Sequence, residues 1–132
     1  MMEMIVTFAG GKRVNVEFSG FVVKTDQSRL SGGEGSAPEP FSLFLASIGA
    51  CAGVYALGFC RSRDIPTEGI RLIQRNIRSK EGRIEEVEIE IELPSEFPEK
   101  YRGAIIRAAE QCAVKKAIEN PPKFSVRTAV KS

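Results

Sequence analysis

The sequence predicts one α+β domain over residues 1–132, in the order β-β-β-α-β-β-α-β. Three observations predict it. Two β-rich runs near the start flank a glycine pair. The stretch 41–60 carries no charge over twenty residues. Residues 83–93 alternate apolar with acidic side chains.

Residues 4–8 and 14–18 are the first two predicted strands. Gly10-Gly11 between them supplies the positive φ of a tight turn. Val14, Val16 and Phe18 alternate with Asn15 and Glu17, the period of a half-buried strand. Residues 21–24 continue the sheet after Ser19-Gly20. Residues 25–39 are rich in Gly and Ser and read as a mobile approach to a helix. A glycine-rich loop before a helix can cradle phosphate, but this one lacks the Gly-Lys-Ser/Thr ending of a P-loop.

The charge-free stretch is long enough to cross a membrane. Gly49, Gly53 and Gly58, with Ser42 and Ser47, make it less apolar than a typical span. No second apolar segment accompanies it, and the remaining elements need a core to face. It is therefore read as a central helix buried on all sides, with no membrane partner. Pro40 suits its first turn, with Ser36 or Glu39 at the cap. Arg61 and Arg63 complement its C-terminal dipole, and Asp64-Ile65-Pro66 stops it.

Residues 68–78 read as a strand, 79–82 as a turn and 83–93 as its partner. On the latter, Val87, Ile89, Ile91 and Leu93 face a core, and Glu86, Glu88, Glu90 and Glu92 form a solvated row. One flat row of carboxylates does not converge on a metal ion. Residues 99–119 follow helical spacing through Tyr101, Ile105, Ala108 and Cys112, and Asn120-Pro121-Pro122 ends that helix. Residues 124–130 read as a last strand.

Composition narrows the chemistry. The chain has no His, so triads, Cys-His dyads and His-ligated zinc are impossible. Net charge is only +2, split as −1 over residues 1–60 and +3 over the rest, which disfavours nucleic acid as a partner. Three cysteines are too few, and odd in number, for a secreted disulfide scaffold. The first residues lack the pattern of a signal peptide. The expected location is the reducing cytoplasm.

Cys51 and Cys60 are nine residues apart on one helix and point to opposite faces. No CxxC motif is present. Cys112 lies on the apolar stripe of the second helix. Small residues flank it and Cys51, so the two helices could approach closely enough to join the thiols. The plain alternative is that both are buried filler, as Cys60 is read to be. A three-cysteine zinc site is disfavoured by the opposite faces, and no cofactor is implied.

The stretch 36–51 resembles the signature of the OsmC/Ohr family. A proline, Pro40, stands eleven residues before Cys51, an apolar helix lies between, and Gly49-Ala50 precedes the cysteine. The run Glu110-Gln111-Cys112-Ala113-Val114 and the element order also fit. The resemblance implies an OsmC-like fold, with two central helices wrapped by sheets from both subunits of an intertwined homodimer. It implies a thiol-dependent peroxidase acting on organic hydroperoxides. Cys51 would become a sulfenic acid, and Cys112 would resolve it to a disulfide. A small dithiol or a dihydrolipoyl protein would act as reductant.

Peroxidase members place a Glu just after the helix-starting proline, where it orients an Arg beside the thiolate. This chain has Phe41 and Ser42 there. Glu39, or Glu34 in the loop, is the available acid, and Arg29, then Arg13, the available cation. The alternative is an OsmC-like dimer with little peroxidase activity that binds a small apolar ligand at its interface. Tyr55 is read as core rather than pocket. Lys115 and Lys116 are read as facing water.

Overall fold

A computed structural model describes residues 2–131 as two compact units, one ending at Ala46 and the other starting at Ser47. Among the described residues the architecture is mixed α+β, with two small antiparallel sheets and three α-helices.

The first unit holds a three-stranded meander, β1 (Ile5–Phe8), β2 (Val14–Phe18) and β3 (Phe21–Thr25). Phe8 pairs with Val14, Val16 with Val23, and Phe18 with Phe21. The first turn forms for the reason the sequence suggests. Gly10 and Gly11 have φ of 100° and 57°. Ser19 and Gly20 have φ of 49° and 81°, the doubly positive pattern that matches strand twist in a two-residue hairpin.

The loop after β3 is not the mobile approach its composition predicts. It is organised around buried Asp26. The carboxylate accepts the Gln27 N–H at 2.7 Å, the Glu34 N–H at 3.3 Å, and both the N–H and hydroxyl of Ser36 at 3.0 and 2.7 Å. These bonds hold its pKa down at about 2. Gly33 has no room for a Cβ, which would strike the Gln27 carbonyl and Asp26 Oδ1. Ser36 is therefore committed to Asp26 and not to a helix cap. Within this loop Arg29–Ser31 form one 3₁₀ turn.

Helix α1 spans Pro40–Arg61. The Glu39 carbonyl accepts the Leu43 N–H at 3.3 Å, so Glu39 is the residue that opens it. At its end Asp64 adopts φ 54°, and the Ile65 N–H returns to the Cys60 carbonyl at 2.9 Å, closing the last turn. α1 is long and apolar enough to cross a membrane by length and composition. It is not buried on all sides as expected. Ala52, Ala56, Phe59 and Cys60 are buried, whereas Val54, Tyr55 and Leu57 are exposed. Tyr55 is thus not core. One chain of this size has too few elements to surround a 22-residue helix.

In the second unit β4 (Arg71–Arg78) and β5 (Ile84–Glu92) form a hairpin, with Leu72 opposite Ile91 and Gln74 opposite Ile89. β4 starts three residues later than predicted, because Gly69 at φ 83° turns the chain and the Ile70 N–H closes on Thr67. The glutamate row is solvated. Arg71 pairs with Glu92, and Arg75 with Glu88 and Glu90. Exposed pairs of this kind add little stability.

The predicted second helix is two. A 3₁₀ turn at Glu99–Tyr101 leads into α2 (Arg102–Ala109). The chain then breaks and resumes as α3 (Ala113–Glu119). Cys112 lies in the break with φ −47° and ψ 124°, off any helical stripe. Residues 124–130 form no strand, and Phe124, Val126 and Val130 are almost fully exposed. A strand needs a hydrogen-bonded neighbour, and among the described residues this segment has none. The observed order is therefore β-β-β-α-β-β-α-α.

The core of the second unit is Ala56, Phe59, Cys60, Phe97 and Ile105, flanked by Leu72, Ile91, Leu93 and Ala108. Ile105 has no exposed surface. This cluster packs α2 against α1 and β5.

Candidate active site

The α2–α3 break brings Cys51 and Cys112 together. Helix α2 ends in short-range bonds, Gln111 N–H to Ala108 and Cys112 N–H to Ala109. Cys112 then turns extended and caps α3, its sulfur accepting the Lys115 N–H at 3.4 Å. Its S–H reaches back to the Ile48 carbonyl of α1 at 3.8 Å. That contact crosses from the break to the turn of α1 just before Cys51.

Cys51 is half-buried, and the N–H groups at the start of α3 act on its sulfur. The Val114 N–H first, then the Cys112 thiol and the Ala113 N–H, favour its thiolate. Together they overcome the opposing effect of burial and hold the Cys51 thiol below its usual range. These N–H groups are free for the task because a helix's first turn has no internal acceptor for them. All three cysteines are free thiols.

Cys60 is the contrast. It sits in the core, and burial pushes its thiol up despite the Arg63 charge nearby. Two thiols of one helix thus have opposite electrostatics. That agrees with their opposite-face placement.

Gly49 completes the local fit. A Cβ there would strike Gln74 Oε1 of β4, so the carboxamide lies directly on the helix backbone two residues before Cys51. Beside Cys112 a cavity of about 650 Å³ opens between α1, β5, α2 and α3. Ile89, Ile91, Ile105 and Ile106 make much of its wall.

The other expected site residues lie in the first unit. Arg13 is exposed in the β1–β2 turn, its Nε donating to the Gly10 carbonyl at 3.2 Å. Arg29 is exposed and opens the 3₁₀ turn. Glu39 opens α1 through its carbonyl. Among the described residues no ion pair joins Glu39 to either arginine. Sequence reasoning missed the Val114 and Ala113 N–H groups, the Ile48 carbonyl and Gln74. The backbone donors become visible only once the helix is known to break at Cys112. Lys115 meets Cys112 through its backbone N–H, and the Lys116 ammonium turns to Gln111 Oε1 at 3.0 Å.

A family model described as OsmC-like protein matches residues 33–127, which include Cys51, Cys60 and Cys112 and the Asp26-anchored end of the loop. Similar solved structures include a Psychrobacter arcticus 273-4 protein named for an osmotic-stress-induced and detoxification response. It has 24% identity and a TM-score of 0.75, over 89% of this chain and 88% of that one. An OsmC-like protein of Mycoplasma pneumoniae has 12% identity and a TM-score of 0.67, over 92% and 89%. An organic hydroperoxide resistance protein OsmC of Legionella pneumophila has 22% identity and a TM-score of 0.55, over 88% of each chain. Likenesses at these identities establish the fold. No functionally curated protein matches the chain in sequence.

Proposed function

The chain belongs to the OsmC-like protein family, and we propose that it is a cytoplasmic thiol peroxidase that reduces organic hydroperoxides. The carrying observation is the Cys51 sulfur facing the Val114 and Ala113 N–H groups with the Cys112 thiol beside it. The Legionella relative's name supports the substrate class.

The Cys51 thiolate attacks the terminal oxygen of the hydroperoxide. The O–O bond breaks, and the alkoxide leaves as the alcohol after taking a proton. Cys51 is now a sulfenic acid. The same N–H groups that hold the thiolate favour it as the attacking form. Cys112 then attacks the sulfenic sulfur, expelling water and forming the Cys51–Cys112 disulfide. A dithiol returns both thiols. Family members use a cation beside the thiolate, and Arg29 or Arg13, with Glu39, is the candidate set this chain offers for it. The exposed Val54, Tyr55 and Leu57 of α1 support self-association into the family's homodimer.

The test is one equivalent of cumene hydroperoxide on the anaerobically reduced protein, with cysteine oxidation mapped by mass spectrometry. Rapid Cys51–Cys112 disulfide is expected, together with loss of turnover in Cys51→Ser and over-oxidation of Cys51 in Cys112→Ser. Three thiols still free after minutes would remove the peroxidase reading. The apolar cavity would then favour a second reading, a family member that binds a small apolar ligand.

A further inference from the structure

We propose that the reduced Cys51–Cys112 pair is a two-coordinate site for a soft monovalent cation, copper(I), held between the two sulfurs. The inference goes beyond the peroxidase reading and does not need it, because neither thiol has to react with a hydroperoxide.

Placement carries it. Cys51 sits within α1 and Cys112 at the α2–α3 break, so two separate elements deliver one sulfur each. The Cys112 thiol lies in hydrogen-bond reach of the Cys51 sulfur. Its own sulfur is held from two sides, by its S–H to the Ile48 carbonyl at 3.8 Å and by the Lys115 N–H at 3.4 Å. Both thiols are free.

The ligand count selects the metal. Among the described residues no group of three His, Cys, Asp or Glu side chains is placed to hold a metal ion. The chain has no His, and Cys60 is in the core on the opposite face of α1. Structural zinc takes four ligands, and calcium and magnesium take six or more oxygens. Two thiolates alone suit a soft closed-shell cation, which accepts linear coordination by sulfur. Copper(I) is the monovalent cation of that kind that a cell supplies.

The surroundings keep the site at two ligands. Cys112 is 2% exposed, and Ile48, Ala52, Ile105 and Ala109 line the cavity beside it. None of those four side chains has a donor atom. Glu90 and Glu110 also line the cavity, but carboxylates are hard donors that copper(I) does not favour. Cys51 is half-buried, so the cation arrives there first and Cys112 closes on it from the protein side. Each thiol gives up its proton, two S–Cu bonds form, and no electron is transferred. The S–Cu–S unit carries one negative charge. The Lys115 N–H on Cys112, and the Val114 and Ala113 N–H groups on Cys51, stabilise it by hydrogen bonding.

The experiment uses the anaerobically reduced full chain and copper(I) supplied as its bicinchoninate complex, whose colour fades as copper leaves. Wild type should withdraw one copper per chain. Cys51→Ser and Cys112→Ser should each weaken retention by at least about 100-fold, more than the loss of an outer hydrogen-bond partner costs. Cys60→Ala should stay within about twofold of wild type, since it is remote from the pair. Circular dichroism confirms that each variant folds. X-ray absorption on copper-loaded wild type, which needs no variant, should show two sulfur neighbours and no nitrogen or oxygen. No withdrawal, half a copper per chain, a third sulfur or an oxygen neighbour would each overturn the proposal. Full retention by Cys51→Ser, or an equal loss in Cys60→Ala, would overturn it too.

Discussion

Ala113→Pro isolates one backbone donor at the Cys51 sulfur without touching a side chain that reacts. Ala113 is the first residue of α3, where proline is best tolerated, since its N–H has no partner inside the helix. Proline also restricts the residue before it to extended backbone, and Cys112 already has ψ 124°. Ala113 is exposed, so the ring has space. Fixing φ in the unfolded chain stabilises by about 0.4–1 kcal/mol, which offsets much of the lost N–H bond. Net stability should therefore stay within about 1 kcal/mol of wild type. The effect on reactivity has a sign and a bound. Removing the donor raises the Cys51 thiol toward its ordinary range, so less thiolate exists at neutral pH. A hydrogen bond to a charged group is worth about 1.5–3 kcal/mol, and Ala113 is the weakest of the three donors at a half-exposed sulfur. The low end applies, a fall of up to about tenfold in Cys51 alkylation. The assay is iodoacetamide labelling across pH, read at the Cys51 peptide. The wild-type and proline curves should converge at high pH, where both thiols are ionised. Ala113→Gly keeps the N–H and should leave the profile unmoved. A proline variant with intact helix content and an unchanged profile would refute the assignment of this N–H to Cys51.

Three further substitutions probe the core, the loop and the α1–β4 contact. Ile105→Ala deletes three carbons from the one fully buried aliphatic side chain at the centre of the core, so it should cost about 2–5 kcal/mol by chemical denaturation. Asp26→Asn should lower the melting temperature at pH 7 by loosening the loop. A carboxylate whose folded pKa lies near 2 against an ordinary 3.8 stabilises fully above pH 4 and loses that contribution as pH falls through 2, so the gap to wild type should close across that window. Gly49→Ala gains helix propensity but forces the Gln74 carboxamide off its bond to Asn76 Oδ1 at 2.9 Å. A double-mutant cycle with Gln74→Ala should show about 0.5–3 kcal/mol of coupling in urea titrations.

The first sheet and its first turn were readable because each rests on a local rule: alternation for β2, paired positive φ at Gly10-Gly11. The glutamate-bearing strand was readable for the same reason. Asp26 was not, since its four hydrogen bonds reach up to ten residues away and leave only a Gly/Ser-rich loop in the sequence. Residues 124–130 have every local mark of a strand and still form none, because a strand is a pairing and local pattern cannot supply the neighbour. The exposed side of α1 has the same origin: a charge-free helix asks for cover that one chain of this size does not contain.

The two cysteines were legible as types and positions, and their chemistry was not. Helical spacing runs unbroken through Cys112, so periodicity placed it as a core knob on a continuous helix. Had that been so, its neighbours would be side chains, its N–H groups would be spent within the helix, and a buried Cys51 opposite it would have had a raised pKa like Cys60. The break changes each of these at once. Cys112 becomes a cap, its sulfur takes the Lys115 N–H, and the unspent N–H groups of Ala113 and Val114 turn to Cys51. The reactivity of Cys51 therefore depends on where α2 stops. Next to that point Ile105 and Ala109 are buried, and the Cys112 S–H contacts the Ile48 carbonyl. A substitution that restored one continuous helix across residues 109–113 would keep both thiols and remove the electrostatic difference between Cys51 and Cys60.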